Sequence, residues 1–467
     1  MNWQQFVELY VPLIATGLLL LIGLTRLRYQ ASSSANSWGW ALAMIFMPWL
    51  AVPVYLLLGS RKIAARRRSK RPLQFAAHTP DACRPCSRLD RLIQAYQLPA
   101  ASTGNQVKFY SSEHGGLDAL LKLLAAATRQ IDVSVYILRA DATGQRIVEL
   151  LTAKAKAGIR VRVLVDGAGS WLLSNRALRR LRQHGGEFAV FHPMLLSLLT
   201  GRGGLRNHRK LVVIDQQSAW TGGANLAQEY FSRLLKQKPW RDLVAVVHGP
   251  AVAELARIFE ADWFYATGKT TSDQQAANPD IAEPDITKPG HAVIQVLPSG
   301  PDVPDEPLLD AVLTALYNAE RSITVLTPYF VPDDSVLFAL ESALRRGVQV
   351  RLVLPRRSDN PLVDAARKPA LAQLLKLGLN LRAIHGRMMH AKALIVDEQL
   401  AMIGSVNWDY RSFFINYELS LLCHDRASVN DLQRWFDDTC AEAQPWPELK
   451  PLGPLTASLL HLIKPLL

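Results

Sequence analysis

The sequence predicts an α/β protein in which an N-terminal two-helix transmembrane hairpin precedes two duplicated α/β sandwich domains, packed about a pseudo-twofold axis. Three observations lead to this fold class. Two apolar stretches open the chain of 467 residues, strand and helix patterns alternate from about residue 105, and one spaced polar motif occurs twice. Hydrophobic period and motif repetition are the primary signals for such a prediction.

Composition narrows the class of protein. Hydrophobic residues make up 49% of the chain and charged residues 20%, so the chain is not a disordered polyelectrolyte. Four cysteines exclude a scaffold held together by disulfides. The net charge of +13 indicates an anionic partner, which could be a nucleic acid or a phospholipid surface.

The hairpin is predicted for residues 1–60, with membrane helices at about 6–24 and 38–58. Only Glu8 carries a charge within these two stretches, and about 20 apolar residues suffice to span a bilayer. Trp38, Trp40 and Tyr55 lie near the ends of the second stretch, where aromatic residues favour the membrane interface. A cleaved signal peptide is the alternative for the first stretch. That reading fits less well, because the stretch lacks a basic leader and a second span follows it.

A basic juxtamembrane linker, residues 61–104, follows the hairpin. Seven basic residues without an acid begin it, and the positive-inside rule therefore places everything after residue 60 in the cytoplasm. Such a basic collar also attracts anionic headgroups. Its members are Arg61, Lys62, Arg66, Arg67, Arg68, Lys70 and Arg71.

Two domains of one design are predicted at residues 105–269 and 291–467, joined by a polar linker at 270–290. The first has strands at 131–137 and 161–165 around a helix near 147–157, which Gly158 ends. The second repeats this order with strands at 321–326 and 348–354 around a helix that stops at Gly347. The second domain therefore reads as an internal duplicate of the first.

The duplication is closest in one polar motif, whose second copy lies 182 positions after the first (208 to 390, 210 to 392). At about 1 in 20 for each specified residue, five matches arise by chance at roughly one in several million starting points. The paired residues are His208, Lys210, Asp215, Gly222 and Asn225, and then His390, Lys392, Asp397, Gly404 and Asn407.

The spacing of each motif predicts half of a phosphate site. Alternate side chains of a strand share a face, so His208 and Lys210 point the same way, as do His390 and Lys392. Lysine and asparagine are suitable donors to a phosphodiester, so Asn225 and Asn407 are expected to bind phosphate together with the two lysines. Half a site in each repeat implies that the halves meet face to face.

Two histidines across one phosphate suggest divided roles in catalysis. One neutral imidazole attacks phosphorus, while the other, protonated, supplies a proton to the leaving oxygen. Asp242 and Glu418, at matched places on the following strands, are the candidates that orient these imidazoles. Asp215 and Asp397 complete the catalytic motif, and we expect them to fix the turn after each strand because they face away from the lysines.

These residues resemble the phospholipase D superfamily, whose duplicated motif is His-x-Lys-x4-Asp-x6-Gly-[Gly/Ser]-x-Asn. Further features are similar to its bacterial cardiolipin synthases. They are the membrane hairpin, the run from Arg206 to Lys210, residues 298–301 and 327–333, and Arg411-Ser412 near Asn416. The resemblance covers residues from about 105 to 440 and implies phospholipase D-type domains.

The resemblance also implies an activity: two phosphatidylglycerol molecules give cardiolipin and glycerol, without metal or nucleotide cofactor. It implies a multi-pass protein of the bacterial inner membrane whose catalytic domains are cytoplasmic. The partners would be phosphatidylglycerol and membrane lipids, with no nucleic acid expected. The superfamily usually assigns the nucleophile to the N-terminal motif, here His208, whereas the residues themselves do not distinguish the two histidines.

Three rival functions remain at this point. A phospholipid hydrolase would use the same intermediate with water as acceptor. A membrane-tethered nuclease would carry its basic charge on the catalytic domain, whereas here the charge concentrates beside the membrane spans. A non-catalytic scaffold would have no reason to keep two motifs in register. Cys83 and Cys86 form a lone CxxC without two further metal ligands, so no metal site or cofactor is assigned to them.

Overall fold

The computed structural model describes residues 70–75, 87–173, 175–193, 204–231, 238–269, 290–447 and 449, with residues 10–12, 14, 15 and 17. Apart from those last six, both predicted membrane spans lie outside the described residues, as do Cys83 and Cys86. Among the residues that are described, no helix combines the length and the apolar character needed to cross a bilayer.

The first half of the chain alternates strands and helices as predicted. Its strands are β1 Ser102–Ser111, β2 Gln130–Val135, β3 Arg160–Asp166, β4 Glu187–Phe191, β5 Leu211–Ile214, β6 Ser218–Gly222 and β7 Leu243–His248. Its helices are Arg88–Ala95, Gly116–Ala126, Ala142–Lys156, Asn175–Gln183, Gln228–Phe231 and Ala251–Thr267. The helix expected near 147–157 starts earlier because Asp141 caps it by accepting a hydrogen bond from Gly144 N.

The second half repeats this plan. Its strands are β8 Ala292–Ser299, β9 Ser322–Leu326, β10 Phe330–Val331, β11 Gln349–Pro355, β12 Asn380–Ile384, β13 Ala393–Val396, β14 Leu400–Gly404, β15 Trp408–Asp409, β16 Glu418–Cys423 and β17 Gln444–Pro445. Its helices are Pro307–Asn318, Asp334–Arg345, Pro361–Ala366, Lys368–Leu375, Tyr410–Phe414 and Arg426–Glu442. Gly158 and Gly347 follow equivalent helices at φ +84° and +85°, the left-handed conformation that favours glycine after a helix.

The two duplicated halves are present as predicted, and they share one sheet. Its 15 strands run in the order β17-β12-β11-β9-β13-β14-β16-β8-β1-β7-β6-β5-β2-β3-β4. The halves join where β1 pairs antiparallel with β8, and the order of strands outward from that seam is equivalent on both sides, except that β17 has no counterpart in the first half. The predicted pseudo-twofold relation therefore holds. Pairing β1 with β8 covers two edges that would otherwise expose unpaired backbone groups.

Helices cover both faces of this sheet. On one face a single core crosses the seam and includes the helices Ala251–Thr267 and Arg426–Glu442. The opposite face has one core in each half. Alternation along β5 assigns Leu211 and Val213 to the shared core and Val212 and Ile214 to the other face.

Residues 70–75 cross the seam between the halves. The side chain of Lys70 is 2% exposed and donates hydrogen bonds to Asp302 (2.7 Å) and to Asp262. Leu73 N donates to Asp302 O at 2.9 Å, and the side chain of Leu73 packs against the shared core and the core of the second half. Lys70, one of the seven basic residues of the predicted collar, is therefore buried in an ion cluster and is not free to contact headgroups. Two acidic partners offset the cost of burying its charge.

Candidate active site

The two His-x-Lys segments meet in the cleft between the halves, each immediately before its strand. His208 N donates to Tyr417 O at 2.9 Å, and His390 N donates to Arg241 O at 2.7 Å. Each segment thus pairs with residues of the opposite half that lie just before a strand, β16 for His208 and β7 for His390. These backbone bonds bring the two half-sites predicted from the sequence together where the halves meet.

Each imidazole lies against a carboxylate of the other half. His208 Nδ1 is 3.0 and 2.9 Å from the two carboxylate oxygens of Glu418, and His390 Nδ1 is 2.6 Å from Asp242 Oδ2. A carboxylate accepts the Nδ1 proton and leaves Nε2 as the reactive nitrogen. Glu418 and Asp242, expected from matched positions, thus each lie beside the histidine of the other half, and their orienting role stays a prediction.

Both lysines of the motif are buried beside these rings. Lys210 Nζ donates to His208 O at 2.8 Å, and Lys392 Nζ lies within 3.1 Å of both ring nitrogens of His390. Burial lowers the pKa of Lys392 to about 8 and lowers the pKa of Lys210 well below its ordinary value. At neutral pH Lys392 is therefore a cation held in a place where it is poorly hydrated, which favours binding an anion.

The two imidazoles and the two carboxylates beside them differ in charge near neutral pH. Burial lowers the pKa of His208 and of His390 to about 4, so both imidazoles are neutral near pH 7. Burial alone would raise the pKa of Asp242 and Glu418, but the neighbouring histidines and lysines outweigh it and lower both values. The site thus presents two neutral nucleophilic rings, each beside an ionised carboxylate.

Aromatic rings that the sequence reading missed fix the planes of the histidines. Tyr136 stands edge-on to His208 with centroids 5.0 Å apart, and Tyr230 stands edge-on to His390 at 5.1 Å. Trp240 packs on His390 at 5.3 Å. Tyr136 directly follows β2, and Trp240 lies two residues before Asp242. The sequence signal that could have found these aromatic residues is their position next to strands that occur in both halves.

The two motif asparagines serve different contacts. Asn225 Oδ1 accepts from Ile137 N at 3.2 Å, and its Nδ2 donates to the Tyr230 hydroxyl at 2.8 Å. Asn407 Oδ1 is buried and has no hydrogen-bond partner among the described residues. Asn225 therefore braces the Tyr230 ring, which in turn contacts His390. The role of both amides in binding phosphate stays a prediction.

The motif aspartates lie at the far end of their strands. Asp215 accepts hydrogen bonds from the backbone N–H groups of Thr128, Arg129 and Gln130 at 2.8–2.9 Å. Asp397 accepts at 2.7–2.8 Å from those of residues 320–322. Both carboxylates tie the turn after β5 or β13 to the start of the neighbouring strand, away from the histidines.

A buried ionic cluster packs against the first motif on the side opposite to His208 and Lys210. Arg209, between His208 and Lys210, points to the opposite face and binds Asp302 (2.9 and 3.0 Å) and Asp262 (2.8 Å). Lys70 binds the same two carboxylates. The cluster joins the first half, the second half and residues 70–75 behind the catalytic strand. Within the described part of the chain, no three metal-binding side chains come together to hold an ion.

Known proteins match both the sequence and the fold. The family described as "Cardiolipin synthase, PLD-like domain" matches residues 120–263 and 312–440. A cardiolipin synthase of Geobacillus kaustophilus is 33% identical over 419 residues, 86% of this chain and 82% of that protein. Cardiolipin synthase A of Pseudomonas aeruginosa is 32% identical over 449 residues, 91% of this chain and 90% of the relative.

A solved structure with a similar fold is the phosphatidylserine synthase of Haemophilus influenzae. It aligns with a TM-score of 0.62 over 82% of this chain and all of its own, at 15% sequence identity. At that identity the likeness concerns the fold alone.

Proposed function

The chain belongs to the cardiolipin synthases with PLD-like domains, and we propose that it transfers a phosphatidyl group from one phosphatidylglycerol to another through a phosphohistidine intermediate. The enzyme is thus a phosphatidyltransferase of phospholipid biosynthesis. One observation carries the proposed mechanism: two buried, neutral imidazoles from different halves face one pocket, and each is held by a carboxylate of the other half.

In the first half-reaction one phosphatidylglycerol binds with its phosphate beside Lys210 and Lys392. We assign the nucleophile to His208, because its Nε2 makes no hydrogen bond within the described residues, whereas Lys392 Nζ lies 3.1 Å from His390 Nε2. The bond from Nε2 to phosphorus forms as the bond to the glycerol oxygen breaks. The bound anion favours a protonated His390, which gives its proton to that oxygen, and glycerol leaves.

In the second half-reaction a hydroxyl of another phosphatidylglycerol takes the place of the departed glycerol. His390, now neutral, accepts the hydroxyl proton while the oxygen attacks phosphorus and the phosphorus–nitrogen bond breaks. The products are cardiolipin and free His208. Each proton and each bonding pair is returned, so the cycle consumes two phosphatidylglycerols and yields one cardiolipin and one glycerol.

The membrane arrangement is part of the proposal. The relatives indicate a membrane-associated enzyme, and we propose that residues 6–24 and 38–58 span the bilayer with the catalytic halves on the cytoplasmic side. Two uncharged or nearly uncharged stretches of this length and the basic residues after them support this topology. Cysteine accessibility at residue 30 and at residue 64 in sealed vesicles would test it, with opposite sides expected.

The test of the reaction supplies purified full-length protein with labelled phosphatidylglycerol in detergent micelles. Free glycerol, phosphatidic acid and cardiolipin are followed together, and a phosphoprotein whose phosphorus–nitrogen bond is labile in acid and stable in base is sought after rapid quenching. Cardiolipin and glycerol in equal amounts are expected, with H208A unable to form the phosphoprotein. Phosphatidic acid as sole product would favour a hydrolase, and a phosphoprotein that persists in H208A would overturn the assigned nucleophile.

A further inference from the structure

At two pairs of equivalent positions near the site, the two halves of the chain carry side chains of different charge. Arg206 O accepts from Tyr417 N at 2.9 Å, and at the equivalent place Met388 O accepts from Arg241 N at 2.8 Å. Arg411 O accepts from Asn416 N at 2.8 Å, and Glu229 O accepts from Trp240 N at 2.7 Å. Equal backbone bonds show that these positions correspond, so two arginines on one side replace a methionine and a glutamate on the other.

Both arginines lie at the edge of the catalytic pocket. Arg206 is two residues before His208, and Arg411 Nη2 donates to Gly204 O at 2.6 Å, which holds its guanidinium beside the same segment. Tyr136 contacts the His208 ring, and Lys210 Nζ lies 5.5 Å from the centre of the Tyr136 ring. Burial raises the pKa of Tyr136, and the charges of Arg206 and Arg411 act against that rise. The two guanidiniums therefore share the surroundings of the catalytic histidine.

The Arg411 guanidinium donates to a backbone carbonyl and forms no ion pair within the described residues. Burial lowers the pKa of this guanidinium, and the attraction of Asp409 and Asp166 offsets that effect only in part. Asp409 accepts a hydrogen bond at the start of the helix Tyr410–Phe414. The equivalent Glu229 is paired with Arg139 at 3.2 Å. A largely buried cation whose charge is only partly balanced favours the binding of an anionic group.

We propose that Arg206 and Arg411 bind the phosphate of the second phosphatidylglycerol, the acceptor lipid. This inference rests on the proposed function. In the acceptor, a three-carbon glycerol separates its phosphate from the attacking hydroxyl, so a second anion must come close to the first. Lys210 and Lys392 serve the transferred phosphate, and like charges at such distances repel unless further cations lie between or beside them. Guanidinium groups bind phosphate oxygens with two hydrogen bonds at once.

The test compares two acceptors for one phosphohistidine. Wild type, R206Q and R411Q are assayed for cardiolipin formation and, separately, for exchange of labelled free glycerol into phosphatidylglycerol. Exchange uses the same donor and intermediate, but its acceptor carries no phosphate. We expect each substitution to lower the ratio of cardiolipin formation to glycerol exchange about ten- to hundredfold, as for the loss of a charge-assisted hydrogen bond. R411K, which keeps the charge, should recover part of that loss.

R434Q serves as the matched control, because the Arg434 side chain is 78% exposed and pairs with Asp431 on the surface of the helix Arg426–Glu442. Circular dichroism of each variant checks the fold. If the two rates fall together, or if neither falls, the acceptor site is wrong. If wild type performs neither reaction, the proposed function itself fails, and that result is distinct from an unchanged ratio.

Discussion

Each motif imidazole contacts a carboxylate from the other half of the chain, and we predict that this carboxylate orients the ring. Glu418 reaches His208 and Asp242 reaches His390, so neither half contains a complete histidine–carboxylate pair. Since the carboxylate fixes which ring nitrogen carries the proton, its removal should change the tautomer more than the binding of lipid.

The substitutions E418Q and D242N are expected to lower kcat about 10²–10⁴-fold with little change in KM, as for loss of the orienting carboxylate in a catalytic triad. Steady-state cardiolipin formation measures both constants. D431N is the control, because the Asp431 side chain is 51% exposed and pairs with the exposed Arg434. A variant that changes KM alone would contradict an orienting role.

The pH dependence should report Lys392. Its ammonium is charged below its pKa of about 8 and loses that charge as pH rises through this value. The histidines titrate near 4 in the free enzyme, so they add no change between pH 5 and 8. We therefore expect kcat/KM for phosphatidylglycerol to fall above about pH 8. In K392R, whose guanidinium stays charged, that decline should move to higher pH, and an identical profile would refute the assignment.

In the Gly-[Gly/Ser]-x-Asn segment of the motif, the second residue is Gly223 in the first half and Ser405 in the second. A Cβ at Gly223 would lie 2.2 Å from Asp242 Oδ1, whereas Ser405 donates a hydrogen bond to Glu418. G223S should therefore push the Asp242 carboxylate off His390 and lower kcat at least 10²-fold, whereas S405G should cost about tenfold by losing one hydrogen bond to a charged group. Steady-state kinetics of G223S and S405G in cardiolipin formation provide the measurement. Equal losses would show that steric room at Gly223 is unimportant.

The short strands position the site because their successive side chains alternate between the two faces of the sheet. In β5 and β13 successive residues serve opposite faces, and the same alternation continues back to Arg209, which leaves the pocket for the ionic cluster while its neighbours face the pocket. Residues 70–75 complete that cluster from outside the two repeats. The segment after the predicted hairpin is therefore part of the catalytic framework.

The variant K70M should destabilise the folded protein by about 3–5 kcal/mol, because it removes one cation of a buried ion group and leaves Arg209 as the one cation that pairs with Asp262 and Asp302 among the described residues. Thermal unfolding in detergent measures the effect. R71Q is the neighbouring control: Arg71 is exposed and contacts the Phe264 ring at 5.6 Å, a contact worth about 1 kcal/mol or less. Equal shifts in Tm would contradict the role given to Lys70.

At the scale of the whole molecule, the halves are joined along both the sheet and the site. The β1–β8 pairing runs one sheet through the seam, and the crossed carboxylates lie across the same boundary. One chain therefore holds one complete site, and no exchange between chains is needed to form it.

Mixing the variants H208A and H390A tests that statement. Each should lack turnover, and their mixture should stay inactive, because every molecule still lacks one histidine of its own pocket. Cardiolipin formation is measured after the two variants are mixed in a common micelle and incubated. Recovery of activity toward one quarter of wild type would show that halves from different chains build the site.

The sequence alone determined what repeats locally. The duplicated motif, the pairing of strand and helix patterns, the glycines that end helices and the residue types for phosphoryl chemistry all depend on neighbours along the chain, so periodicity and spacing expose them. The resemblance carried by those residues was sufficient to indicate the family. The domain boundaries and membrane spans stay predictions.

Only the tertiary structure decided what depends on distant partners. It joined the expected sandwiches into one sheet, crossed Asp242 and Glu418 between the halves, and buried Lys70 between two acids rather than leaving it in the basic collar. It also showed that Arg206 and Arg411 oppose Met388 and Glu229. The physical reason is that burial and charge pairing are set by packing between segments far apart in the chain, for which local spacing carries no signal.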